Sequence, residues 1–146
     1  LQNEIRETVV ALELREAVIF LGKIPPQDIP LLLHGLDVFV HPSWREGMPA
    51  AILEAMAGGL PVIATDAEGV TDIFAGGLDF GKMVARGETE ALARAMLELY
   101  RKPPGDLKAM GQAAKLRVKE AFTHERMVQQ TVDLYTHHLS RFKTTP

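Results

Sequence analysis

The sequence predicts an α/β fold: a mostly parallel sheet of about four strands flanked by helices. Three observations carry this. Short apolar runs alternate with longer stretches of helical periodicity along the chain. The apolar runs are continuous rather than alternating with polar residues, the pattern of strands covered on both faces. The composition is that of one globular domain, with 146 residues, 47% hydrophobic and 24% charged, enough to bury a core.

Residues 1–14 read as an amphipathic helix, with Leu1, Ile5, Val9 and Leu12 at helical spacing and Glu4, Arg6, Glu7 and Glu13 between them. Val18-Ile19-Phe20-Leu21-Gly22 reads as a first strand. Pro25 and Pro26 open a turn and a helix over residues 27–34. Asp37-Val38-Phe39-Val40-His41-Pro42 reads as a second strand, stopped by Pro42. Pro49 to Ala57 reads as a helix with Pro49 in its first turn and Gly58-Gly59 as its stop. Pro61 to Thr65 is a third strand and Lys82 to Ala85 a weaker fourth. Gly76-Gly77 reads as a turn. Helices follow over residues 88–101, 105–121 and 124–142, the first two separated by Pro103-Pro104-Gly105.

Several function classes are excluded or disfavoured at once. Sixteen Lys and Arg against nineteen Asp and Glu give a net charge of −3, so no nucleic-acid partner is expected. The absence of cysteine removes disulfides, a thiol nucleophile and thiolate zinc sites. No apolar run reaches the roughly 18 residues of a membrane span, and no signal-peptide pattern opens the chain. The first residue is Leu1, which suggests a portion of a longer polypeptide.

Alternating strands and helices make the domain Rossmann-like, and in such sheets ligands bind beyond the carboxyl ends of the strands. The segment after the second strand stands out there. From Pro49 to Ala57 the one polar residue is Glu54, so the helix reads as buried, and its carboxylate needs a hydrogen-bonding partner. Either it accepts bonds from sugar hydroxyls, or it is a structural carboxylate paired with an arginine or a backbone amide. Ser43-x-x-Glu46 matches a capping box, but a helix started by Ser43 would run into Pro49 at a cost of about 3 kcal/mol. The helix therefore starts near Met48, and Glu46 stays in the loop at the crevice mouth. Gly47 admits close approach of a ligand to the backbone. The amides around Met48 to Ala51 are free donors at a helix start, except that Pro49 has none. Two carboxylates eight positions apart, with anion-friendly amides between them, suit a nucleotide-sugar.

These residues also carry a family likeness. Pro42-Ser43-x-x-Glu46-Gly47-x-Pro49, then Glu54-Ala55-Met56-Ala57-x-Gly59-x-Pro61-Val62-Ile63-Ala64-Thr65, resembles the retaining glycosyltransferases of family 4, with the GT-B fold. Val18-x-Phe20-Leu21-Gly22, Asp37 to Val40, Met83-Val84, Gly87-x-x-Glu90-Ala91-Leu92 and Phe122-Thr123-x-Glu125 extend the likeness over residues 18–139. The resemblance implies the C-terminal, nucleotide-sugar (donor) binding domain, spanning residues 1–146, truncated at its N-terminal side, with C-terminal helices over 105–142. It implies Glu54 at the ribose hydroxyls and Glu46 at the donor sugar as the catalytic carboxylate. The backbone of Gly47 and Met48, with the helix start at Pro49, would meet sugar and diphosphate, and Ile24 and Pro25 would lie near the base. It implies no cofactor and no metal, because the nucleotide-diphosphate sugar is a substrate and basic side chains neutralise its diphosphate. The implied location is cytoplasmic, with a peripheral membrane position open to the full-length enzyme.

The departures shape the functional reading. The family's Gly-Arg loop and Lys segment, which hold the diphosphate, have no counterpart here, nor has the acceptor domain. Glu68-Gly69 and Thr71-Asp72 stand where the family has Gly-Gly and Pro-Glu. The expected function is the donor-binding part of a retaining glycosyltransferase of the hexosyltransferase class, inactive as an isolated chain. The alternatives are a non-catalytic nucleotide-sugar binding module, or subunit, that pairs with a separate acceptor domain, and a structural α/β piece. The family's sheet order leaves two empty places between Val18–Gly22 and Asp37–Pro42. Direct pairing of the two strands, exchange with a second copy, or the missing polypeptide as a partner would close the gap; exchange or close association is favoured. His41 reads as a ligand contact or a packed histidine, Trp44 as stacking or packing, Arg45 as a solvated loop residue, and the methionines as core or pocket lining.

Overall fold

The computed structural model describes residues 2–77 and 79–142. Their elements run α1 (Gln2–Ala11), a 3-10 turn (Pro26–Asp28), α2 (Ile29–His34), β1 (Phe39–His41), α3 (Ala50–Ala57), β2 (Val62–Thr65), α4 (Glu68–Phe74), β3 (Gly81–Val84), α5 (Thr89–Tyr100), α6 (Pro104–Ala121) and α7 (His124–Phe142). The strands form one parallel sheet in the order β1-β2-β3, with Phe39 opposite Val62 and Val62 opposite Gly81. The α/β class and the parallel sheet expected from the continuous apolar runs are both present.

The central strand explains the pattern of those runs. All four residues of β2 are buried. Val62 and Ala64 join Ile52, Met56, Val70 and Ile73 in a core that also takes in Ala114 of α6. Ile63, pointing the other way, packs with Ala95 and Leu99 of α5. Successive strand side chains face opposite sides, so a strand covered on both faces must be apolar at every position. Lys82 of β3 reaches Glu98 of α5 at 2.7 Å and ties the second layer to the sheet edge. On the first face, α6 crosses the stop of α3 so closely that a Cβ on Gly111 would overlap the Gly59 carbonyl.

Some expectations are corrected. Val18–Gly22 is not a strand: it forms no ladder, and Ile19 and Leu21 are exposed. The sheet has three strands among the described residues rather than about four. The segment does not pair with β1, so direct closure of the sheet gap is overturned. An apolar run becomes a strand only where a neighbour supplies backbone partners, and no strand among the described residues pairs with this one. It instead meets α1, where the Arg6 guanidinium sits 4.3 Å from the Phe20 ring centroid. The first helix stops at Ala11, and Glu13 turns the chain with φ 56°. Leu1 of the expected apolar face lies outside the described residues.

Pro49 is the N-cap of α3, with φ −75° and ψ 94°, and the helix starts at Ala50. That helix is not buried all round. Ile52, Ala55 and Met56 face the core, while Ala50, Ala51, Glu54 and Ala57 are exposed. Helix α4 has no counterpart among the elements expected from the sequence. Of the methionines, Met56 is fully buried, whereas Met48, Met96 and Met127 are half exposed and line surface grooves. The turn at Gly76-Gly77 is present, with Gly77 at φ 121°. The final helix occupies the expected residues, and its apolar side chains Val132, Tyr135 and Leu139 are exposed.

Candidate functional site

The loop between β1 and α3 is fixed at successive residues by the ends of the other strands. The Thr65 hydroxyl, at the end of β2, donates to the Ser43 carbonyl at 2.5 Å. Past β3, the Arg86 guanidinium donates to the Trp44 carbonyl at 3.2 Å. Arg86 is itself held by Asp66, which accepts its backbone N–H at 2.8 Å and lies 3.3 Å from its Nε. The Ser43 hydroxyl donates to the Arg45 carbonyl at 3.1 Å, so it closes the loop rather than capping a helix. Parallel strands place these loops side by side, which is why residues distant in sequence converge here.

Glu46 sits in this loop as the sequence implies, and it is not free. Its Oε1 lies 2.8 Å from His41 Nε2, both side chains being half-buried. The Ser43 hydroxyl and then the His41 ring hold its carboxyl below the ordinary value of 4.5, against a smaller opposing effect of desolvation. His41 is thus a partner of the site carboxylate. The amides of Ala50 and Ala51 have no acceptor among the described residues, while those of Ile52 and Leu53 turn back to the Pro49 carbonyl at 3.0 and 3.4 Å. Free donors therefore do stand at the start of α3.

Glu54 lies elsewhere. It is exposed, has no hydrogen-bonding or ionic partner among the described residues, and lines a groove of about 430 Å³ between α2 and α3. The other walls are Pro26, Ile29, Pro30, Leu33, Ala57 and Gly58. The alternative pairing of its carboxylate with an arginine or a backbone amide is not present among the described residues. Ile24 is half-buried and Pro25 exposed, directly before Pro26 of this groove. Glu54 and the Ile24-Pro25 turn are therefore neighbours, whereas Glu46 is not among the groove's lining residues. Gly47 is exposed, with open space where a Cβ would stand. Met48 lines a different groove with Leu53, Asp72 and Arg117. Arg45 is exposed and its side chain is unpaired among the described residues. Trp44 is 69% exposed, with its ring edge 3.2 Å from where a Cβ on Gly87 would lie. His137 and His138 meet edge to face on exposed α7.

The fold and site can be set beside known proteins. Residues 1–102 match the family described as glycosyl transferases group 1. The chain belongs to this family. The lipopolysaccharide core biosynthesis mannosyltransferase LpcC of Rhizobium leguminosarum bv. viciae is 35% identical over 124 residues, 85% of this chain and 34% of that protein. Anabaena HepE, solved in complex with UDP and glucose, superposes with a TM-score of 0.80 at 26% identity, covering 92% of this chain and 36% of that one. The C-terminal domain of a group 1 glycosyltransferase, LpcC of Francisella tularensis, superposes with a TM-score of 0.75 at 25% identity, over 84% of this chain and 63% of that one. The chain thus corresponds to a C-terminal GT-B domain and spans about a third of the length of the curated relatives it matches.

In this group 1 glycosyltransferase domain, sequence reasoning missed Thr65, Asp66 and Arg86. They line or brace the loop and a cleft of about 190 Å³ bounded by Trp44, Gly87 and Leu92. Their signal was positional: each stands at or just past the carboxyl end of a strand. No helix among the described residues is long and apolar enough to cross a membrane.

Proposed function

We propose that the chain is the donor-binding part of a retaining glycosyltransferase, which moves a sugar from a nucleotide-diphosphate sugar to an acceptor hydroxyl. The observation that supports this reading is the separate setting of its two carboxylates. Glu54 stands free on the wall of an otherwise largely apolar groove beside Ile24 and Pro25, the setting a nucleoside needs: apolar surface for the base and an acceptor for the ribose hydroxyls. Glu46 is already ordered by His41 at 2.8 Å and takes the donor sugar. Between them, the backbone of Gly47 and Met48 and the free amides beyond Pro49 meet the diphosphate. The UDP and glucose in the HepE structure support the class of ligand.

The acceptor site and the remaining positive charge come from polypeptide outside this chain, either the rest of one enzyme or a separate acceptor-domain subunit. The exposed apolar side chains Val132, Tyr135 and Leu139 of α7 fit a domain that packs against more protein, and a second copy of this chain is the competing occupant. The isolated chain transfers no sugar above background, since positioning of the acceptor and stabilisation of the leaving charge supply most of the rate enhancement. Calorimetry with UDP, GDP, UDP-glucose and GDP-mannose tests the binding reading, and silence toward all of them defeats it. Robust turnover by the chain alone defeats the assignment of the acceptor function to other polypeptide.

A further inference from the structure

We propose that His41 is a positioning residue for the donor sugar, its Nε2–H holding Oε1 of Glu46 and so setting the aim of the carboxylate within the crevice. The inference rests on the reading of Glu46 as the sugar-facing carboxylate.

The two residues come from parts of the chain with different rigidity. His41 is the last residue of β1, in register with Ala64 of the buried central strand. Its ring stacks on Phe39, two residues back on the same strand face, with centroids 6.2 Å apart and planes 18° from parallel. Glu46 lies five residues on, in an irregular loop, at the end of a side chain with three rotatable bonds. An ionised carboxylate only accepts hydrogen bonds, so the His41 Nε2–H is the donor. The 2.8 Å contact therefore ties a loop carboxylate to a strand.

Roughly four lone-pair sites surround a carboxylate. His41 occupies one, which leaves acceptors for ligand hydroxyls. Ordering the glutamate before ligand arrives lowers the entropy lost on binding. A purely structural pair would have a different signature: its loss would loosen the loop and weaken nucleotide and sugar-nucleotide binding alike.

The test compares UDP with UDP-glucose and UDP-N-acetylglucosamine, and GDP with GDP-mannose, by calorimetry on the wild-type chain and on His41→Leu and His41→Gln. The sugar nucleotide preferred by the wild type is expected to bind more tightly than its plain diphosphate. His41→Leu should reduce that preference roughly threefold to tenfold, the value of one net hydrogen bond, while plain diphosphate affinity is unchanged. His41→Gln, whose amide N–H can replace Nε2–H, should restore most of the preference. A His41→Leu chain that keeps the full preference, or loses diphosphate and sugar-nucleotide affinity together, overturns the inference. So does a ¹⁵N spectrum of the wild type in which the His41 proton sits on Nδ1. A wild type that binds diphosphates without any sugar preference overturns the role of Glu46, and this inference with it, but leaves the nucleoside groove standing. A wild type that binds no nucleotide overturns the donor reading itself.

Discussion

Gly69 lies directly beneath the carbonyl of Gly47. A Cβ on Gly69 would fall onto the Gly47 oxygen and close to the Met48 Cα. The first turn of α4 therefore forms the floor of the loop that carries Glu46. Both obstructing groups are backbone, so the clash has no flexible side chain to relieve it.

Gly69→Ala is expected to destabilise the chain by about 1–3 kcal/mol, the usual cost of overpacking, and to displace the Glu46 loop. Gly47→Ala should cost far less, because open space surrounds its would-be Cβ. Chemical denaturation of both variants, with fluorescence of Trp44, the single tryptophan of the chain, reads stability and loop position together. Equal tolerance of both substitutions would refute the close packing of α4 against the loop.

The same pair shows what the sequence could and could not convey. Gly47 was legible as a site residue because it sits in a recognisable motif. Gly69 was not, because its constraint comes from a contact between segments more than 20 residues apart. Helix α4 was hidden for a related reason: it has seven residues, begins after Ala67 with no side-chain cap, and includes a glycine, so local propensity argues against it. Tertiary contacts hold it. Conversely, β2 and α7 were legible because burial on both faces and helical periodicity are properties of the segment itself. Val18–Gly22 has the composition of a strand but no neighbour to pair with. The contact between His41 and Glu46 depends on how an irregular loop folds back, and no periodicity reports that.

Arg117 caps the opposite, C-terminal end of α4. Its Nε and Nη2 donate to the carbonyls of Ile73 and Asp72 at 3.2 and 3.3 Å, and its guanidinium lies 5.2 Å from the Phe122 ring centroid. Cations at a helix C-terminus satisfy its last carbonyls and its dipole. Arg117→Ala should cost about 1–2 kcal/mol, the lower part of the range for bonds from a charged donor because the site is partly solvated. Arg117→Lys should recover part of this. A denaturation midpoint unchanged in Arg117→Ala would rule out the capping role.

The lowered Glu46 carboxyl gives a pH signature of definite sign. Its folded-state pKa lies below the ordinary value of 4.5 because of Ser43 first and His41 second. Between the folded and unfolded values the unfolded chain binds more protons, so stability rises with pH there. The contribution is present above the ordinary carboxylate range and is lost as pH falls through the lowered value. Carboxyl-carbon NMR should find Glu46 titrating below 4.5, with Ser43→Ala moving it upward. A wild-type midpoint at or above 4.5 would contradict the arrangement.

The two carboxylates should separate when challenged with a nucleotide that carries no sugar. Glu54 is exposed and has no protein partner among the described residues, so Glu54→Gln removes charge without breaking a contact of the fold. In Glu46→Gln the amide oxygen can still accept the His41 Nε2–H, so the loop keeps its tie to β1. Neither variant therefore confounds binding with unfolding. A carboxylate accepting from a ribose hydroxyl is worth about 1.5–3 kcal/mol, or roughly 10- to 100-fold in affinity. Glu54→Gln keeps an acceptor oxygen and loses the charge assistance, about 1–1.5 kcal/mol or roughly 5- to 12-fold, for plain UDP or GDP, whichever the chain binds, while Glu46→Gln loses little until the sugar is added. Calorimetry of each variant with the diphosphate and with its sugar nucleotide decides the matter. Equal losses on the plain diphosphate would contradict the split, because a carboxylate that meets only the sugar has nothing to accept from a ligand that lacks it.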